Sequence, residues 1–194
     1  MTGFRAAAAA LLLLGLAAAT AAGTYAARGS DDNSPGDRNV AMRDDCDPAD
    51  PAWAPTGGCL RKRGNVTFAE FIAGASSPLS PTTVVGHPAW RNSPSYLVMK
   101  EGGTVRIRNA GGRNHTFTEV TAFGGGIAPA PPINRGLTTA PECPFSIGIA
   151  PGESVKLSGL AVGDHLFQCC LHPWMRAQIT VMPKSGGGQD HSHH

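Results

Sequence analysis

Tyr96-Leu97-Val98-Met99-Lys100, then Glu101-Gly102-Gly103, then Thr104-Val105-Arg106-Ile107-Arg108 decide the fold class. Two runs rich in β-branched and aromatic residues are joined by a glycine turn. The second alternates strictly, so that Val105 and Ile107 share one face and the arginines the other. Downstream, Ala110-Gly111-Gly112 turns the chain and residues 114–120 return. Residues 145–149 and 154–157 flank a Pro151-Gly152 turn, and residues 164–169 and 177–182 supply two further runs. Upstream, Asn65-Val66-Thr67-Phe68-Ala69-Glu70-Phe71-Ile72 is β-branched and aromatic and reads as a strand. No stretch after residue 65 offers a long helical period. Many short strands with frequent turns predict an all-β sandwich or barrel.

Composition agrees. The 194 residues include 25 Gly and 16 Pro, which excludes a long helical bundle or coiled coil. Lys plus Arg is 16 and Asp plus Glu is 14, a net charge of +2. That near-balance argues against a nucleic-acid partner.

Four segments follow from the patterning. Residues 1–27 carry Arg5, an apolar run from Ala6 to Ala19 broken by Gly15, and small residues including Ala19-Thr20-Ala21. This is the pattern of a cleaved secretory signal, the alternative being an uncleaved membrane anchor, the one expected membrane contact. The rest of the chain is therefore expected outside the cytoplasm: secreted, periplasmic or on the cell surface. Residues 28–64 read as a polar linker that packs little. Within it, Cys46 and Cys59 bracket a Pro/Gly loop, which suggests a local disulfide. Residues 65–183 form the folded domain, and 184–194 a Gly/His-rich tail.

Between the last two strands lies Phe167-Gln168-Cys169-Cys170-Leu171-His172-Pro173-Trp174-Met175. Cys169, His172 and Met175 are three residues apart, so a thiolate, an imidazole and a thioether can converge from one loop. His115, opening the strand after the Gly111-Gly112 turn, is the candidate fourth ligand. Zinc has little use for a thioether. One thiolate, two imidazoles and a weak axial thioether suit a blue-copper electron-transfer site.

The loop closely resembles the copper-binding loop of the cupredoxins, and is most similar to the amicyanin and plastocyanin-like group. Their pattern, aromatic-x-Cys-x-x-His-Pro-aromatic-Met, falls on Phe167, Cys169, His172, Pro173, Trp174 and Met175. Residues 98–116 also resemble the family's strand, turn, strand, turn and ligand histidine. The resemblance covers about residues 66–182. It implies a Greek-key β-sandwich holding one type 1 copper ion through His115, Cys169, His172 and Met175. It also implies a non-enzymatic carrier of single electrons between transient redox protein partners, with His172 as the exit and Pro173 and Trp174 as an apolar docking patch. The alternative is a copper chaperone or store, for which the His-rich tail speaks. With Cys169 on copper, Cys46, Cys59, Cys143 and Cys170 remain. Cys46–Cys59 with Cys143–Cys170 is one of three connectivities they allow.

Other residues carry blander readings. His87 and His165 read as structural or edge histidines, and His191, His193 and His194 as a solvated tail. The pairs Asp31-Asp32 and Asp44-Asp45 read as a solvating linker. Asn65 and Asn114 match the glycosylation pattern, but a glycan at Asn114 would crowd His115. A copper enzyme with a second metal needs more histidines than His87, His115, His165 and His172 provide.

Overall fold

The computed structural model describes residues 37–60, 64–75, 87–127 and 136–184. The signal segment, Asp31-Asp32 and the histidine tail lie outside the described residues. Among the described residues ten strands dominate: β1 (Arg38–Asp44), β2 (Trp90–Ser93), β3 (Tyr96–Lys100), β4 (Thr104–Asn109), β5 (His115–Thr116), β6 (Thr118–Val120), β7 (Gly148–Ile149), β8 (Ser154–Ser158), β9 (Gly163–Gln168) and β10 (Arg176–Met182). They form a Greek-key β-sandwich of two four-stranded sheets, ordered β2-β1-β4-β8 and β3-β10-β9-β6, with β5 and β7 as a separate pair. Each sheet is mixed: β1 runs parallel to β4, and β10 parallel to β3.

The alternation expected in β4 holds, with Val105 and Ile107 buried and Arg106 and Arg108 exposed. They share one core with Val40 and Met42 of β1, Leu97 and Met99 of β3, Phe167 of β9 and Ile179 and Val181 of β10. Both disulfides, Cys46–Cys59 and Cys143–Cys170, are formed, and Cys169 is the free cysteine.

Two expectations are corrected. The segment 28–64 is more than a linker that packs little. Its residues 38–44 form β1, which lies inside a sheet between β2 and β4, and its Trp53 is buried. Val40 and Met42 keep the two-residue period of a strand, but a polar, Asp-rich context masks it. The stretch 65–72 is largely helical: α1 spans Phe68–Ala75. Thr67 and Glu70 form a capping box, with the Thr67 amide donating to Glu70 Oε2 at 2.8 Å and the Glu70 amide donating to Thr67 Oγ1 at 3.2 Å. Asp50 reinforces this start by accepting the Phe68 amide at 2.7 Å.

A candidate metal centre

His115 is delivered by a rigid turn. Asn109, buried at the end of β4, donates through Nδ2 to the carbonyls of Arg113 and Ile149, both at 2.7 Å, and accepts the Gly111 amide through Oδ1. The turn is thereby closed and tied to β7, whose Ile149 pairs with His115. From β1, the Asp44 carboxylate accepts the amides of Gly112 at 2.7 Å and Arg113 at 2.8 Å.

The loop after β9 closes on itself. The Cys169 amide donates to the Met175 carbonyl at 2.9 Å, the His172 amide to Cys169 at 3.2 Å and the Met175 amide to His172 at 2.8 Å. Arg176, wholly buried, donates through Nε to the Pro173 carbonyl at 3.0 Å and lies over the Phe123 ring. The disulfide partner Cys143 sits on a short 3-10 turn, Cys143–Phe145. Gly126 passes so close to this loop that a Cβ there would fall 2.3 Å from the Cys170 carbonyl.

These two supports bring three donors together. His115 Nδ1 and His172 Nδ1 are 3.1 Å apart, and Cys169 Sγ lies 3.5 Å from His172 Nδ1 and 3.8 Å from His115 Nδ1. Ligand bonds of about 2.0 Å to nitrogen and about 2.3 Å to sulfur would set a trigonal plane's donors about 3.5 to 3.8 Å apart. The triangle therefore fits a metal ion with little movement. Among the described residues this is the one group of His, Cys or carboxylate donors gathered closely enough to hold one. Met175 is wholly buried in the same loop.

The electrostatics favour a metal-ready thiolate. Burial pushes the Cys169 thiol up, but hydrogen bonds from His115 and His172 outweigh it and hold the thiol below its ordinary value. The Thr116 amide also donates to its sulfur at 3.3 Å. Burial pushes His115 down, yet the Asp44 carboxylate beside Nε2 and the Cys169 sulfur beside Nδ1 raise it above the ordinary imidazole value.

The surroundings differ from expectation on one side. Pro173 and Trp174 are buried and form no exposed docking patch. Trp174 stands 5.9 Å, ring to ring, from Phe71 of α1 and 5.6 Å from Trp90 of β2. Trp53, on a 3-10 turn at Pro51–Thr56, backs Phe71 at 5.2 Å. Trp90 and Trp174 both meet the His172 ring edge to face, at 4.7 and 5.4 Å, and leave it half-buried. Trp53 and Phe71, which back these rings, come from the two segments read as linker and strand. His87 meets Phe71 edge to face, and His165 lies against Glu119, so neither is in the donor cluster.

Asp44 is the residue that the sequence reading missed. Its carboxylate is buried, and Oδ2 lies 3.5 Å from His115 Nε2. It is far from a solvating linker residue. The buried alternation Val40, Met42, Asp44 was the signal that could have found it.

No family model and no curated protein sequence matches the chain. Solved structures do. A purple cupredoxin from Nitrosopumilus maritimus is 18% identical, over 54% of this chain and 96% of its own, with a TM-score of 0.36. A reduced mutant of amicyanin is 19% identical, over 56% and 89%, with a TM-score of 0.34. Pseudoazurin from Methylobacterium extorquens AM1 is 14% identical, over 80% and 79%, with a TM-score of 0.36. These similar structures are cupredoxins.

Proposed function

We propose that the chain is an exported mononuclear type 1 copper protein that carries single electrons between redox partners, with His115, Cys169, His172 and Met175 as its ligands. The observation that carries this reading is the Nδ1, Nδ1, Sγ triangle, buried at His115 and Cys169 and half-buried at His172, closed by a thioether-bearing loop. Thiolate and thioether suit Cu(I), imidazole suits both oxidation states, and Cu(II) outranks zinc for such nitrogen and sulfur donors. Bound copper supplies the one-electron couple. The chain's own residues hold the geometry and exclude water.

Three features favour carrying an electron over handing on the metal. His115, Cys169 and Met175 are wholly buried, which opposes exchange of the ion with an acceptor. The turn and loop are each closed by their own hydrogen bonds, so a change of charge at the site moves the ligands little. The Thr116 amide stabilises sulfur charge without a side chain that must reorganise. Two disulfides support folding in an oxidising compartment, in line with an extracytoplasmic protein. No helix of the described residues is long and apolar enough to cross a membrane.

Adding Cu(II) to the metal-free chain tests the reading. The expected result is an intense visible thiolate-to-copper band, with narrow copper hyperfine splitting in the electron-spin resonance spectrum. Cys169→Ser should remove that band. A pale spectrum of nitrogen and oxygen ligation in the parent chain would sink the proposal.

A further inference from the structure

The Asp44 carboxylate and the outer nitrogen of His115 face each other in a closed space. Their side chains are 2% and 0% exposed, and Oδ2 stands 3.5 Å from Nε2. Nδ1 of the same ring is turned to Cys169 and His172. A neutral imidazole that gives Nδ1 to a metal carries its proton on Nε2. Among the described residues that Nε2 has no acceptor at hydrogen-bonding geometry, and Asp44 is the carboxylate beside it. Buried donors of this kind are normally satisfied. A shift of a few tenths of an ångström would convert the ion-pair distance into a bond.

Asp44 is itself held in place. It accepts the Gly112 and Arg113 amides at 2.7 and 2.8 Å. Gly111 leaves room for it, because a Cβ there would lie 2.6 Å from Asp44 Oδ1. The turn that presents His115 is thus built around this carboxylate, which reaches it from a strand far away in sequence.

We propose that Asp44 is a positioning residue of the metal centre: its carboxylate orients His115 through Nε2–H and sets a fixed negative charge beside the ion, lowering the reduction potential. The inference rests on the copper reading above. Carboxylate–histidine–metal arrangements fix the ring and raise the ligand's basicity. A nearby anion favours the more positive oxidation state, and low polarity strengthens the effect. A carboxylate that merely closed the turn would act through the Gly112 and Arg113 amides alone.

Asp44→Asn separates the two roles, since its side-chain oxygen still accepts an amide but the charge is gone. In the full chain loaded with copper, the variant should keep the visible band and show a higher midpoint potential in an optical redox titration. A potential equal to that of the parent, with the band retained, overturns the proposal. A second measurement needs no variant. In the Cu(I)-loaded parent, nitrogen-15 NMR should show a His115 Nε2 proton that exchanges slowly and lies downfield. A rapidly exchanging Nε2 proton, or metal at Nε2 instead of Nδ1, overturns it. A parent chain that takes up no copper would fail at the earlier step, in the optical spectrum, and remove both readings together.

Discussion

At the scale of single residues, the donor cluster was legible where its residues are close in sequence. Cys169, His172 and Met175 share one loop, and their spacing names a soft donor set without any knowledge of the fold. His115 was legible because a glycine turn precedes it at a strand start. Asp44 was not, because its partners lie on the opposite side of the sequence and Asp beside Asp looks solvated. Only the β1 pairing with β2 and β4 turns it inward. Met175 carries its own test. The thioether is wholly buried, and a long axial ligand tunes potential while the thiolate dominates colour. Met175→Gln should therefore retain an intense visible band and lower the midpoint potential, because an amide oxygen stabilises Cu(II) better than sulfur does. An optical redox titration decides it, and an unchanged potential would remove Met175 from the ligand set.

Among the elements, the strands with clean alternation were read correctly and those with hidden signals were not. β4 shows its period because arginines separate its apolar residues. α1 hides inside a β-branched and aromatic stretch, where propensity points to a strand. The local chemistry of Thr67-Phe68-Ala69-Glu70 overrides that propensity, since two otherwise orphaned amides are satisfied at once. The misreading mattered for function, because α1 brings Phe71 over Trp90 and Trp174. Those rings in turn cover His172, the expected exit for the electron. Phe71→Ala should loosen this cover. We expect a stability loss of about 3 kcal/mol, in the range for truncating a buried aromatic, measured by chemical denaturation of the copper-loaded protein. Stopped-flow oxidation by a small redox dye should become faster as His172 is uncovered. An unchanged rate alongside the stability loss would mean that electrons leave elsewhere.

Across the whole molecule, the sandwich was legible because turn chemistry and strand period agree over most of the domain. Its first strand was not, because β1 gains stability only from two neighbours that arrive later in the chain. One charged contact links β9, β6 and the turn before β9, and it makes global stability depend on pH. His165 Nδ1 meets Glu119 Oε1 at 2.6 Å and Nε2 meets the Ala161 carbonyl at 2.8 Å, so both ring nitrogens face acceptors. Burial lowers the pKa of this ring, but the bonds to Glu119 and Ala161 outweigh it and raise the value above the ordinary one. An unfolded histidine titrates near pH of about 6.5. The imidazolium contact therefore stabilises the fold fully below that pH, and its contribution is lost as pH rises through the higher folded value. His87 works in the opposite sense, because burial lowers its pKa and its contribution is lost as pH falls. In loaded protein, the difference in denaturation midpoint between the parent and Glu119→Gln isolates the His165 contact. That difference should be largest at mildly acidic pH and shrink as the solution becomes alkaline. A difference that stays constant across this range would show that His165 is neutral in the folded chain.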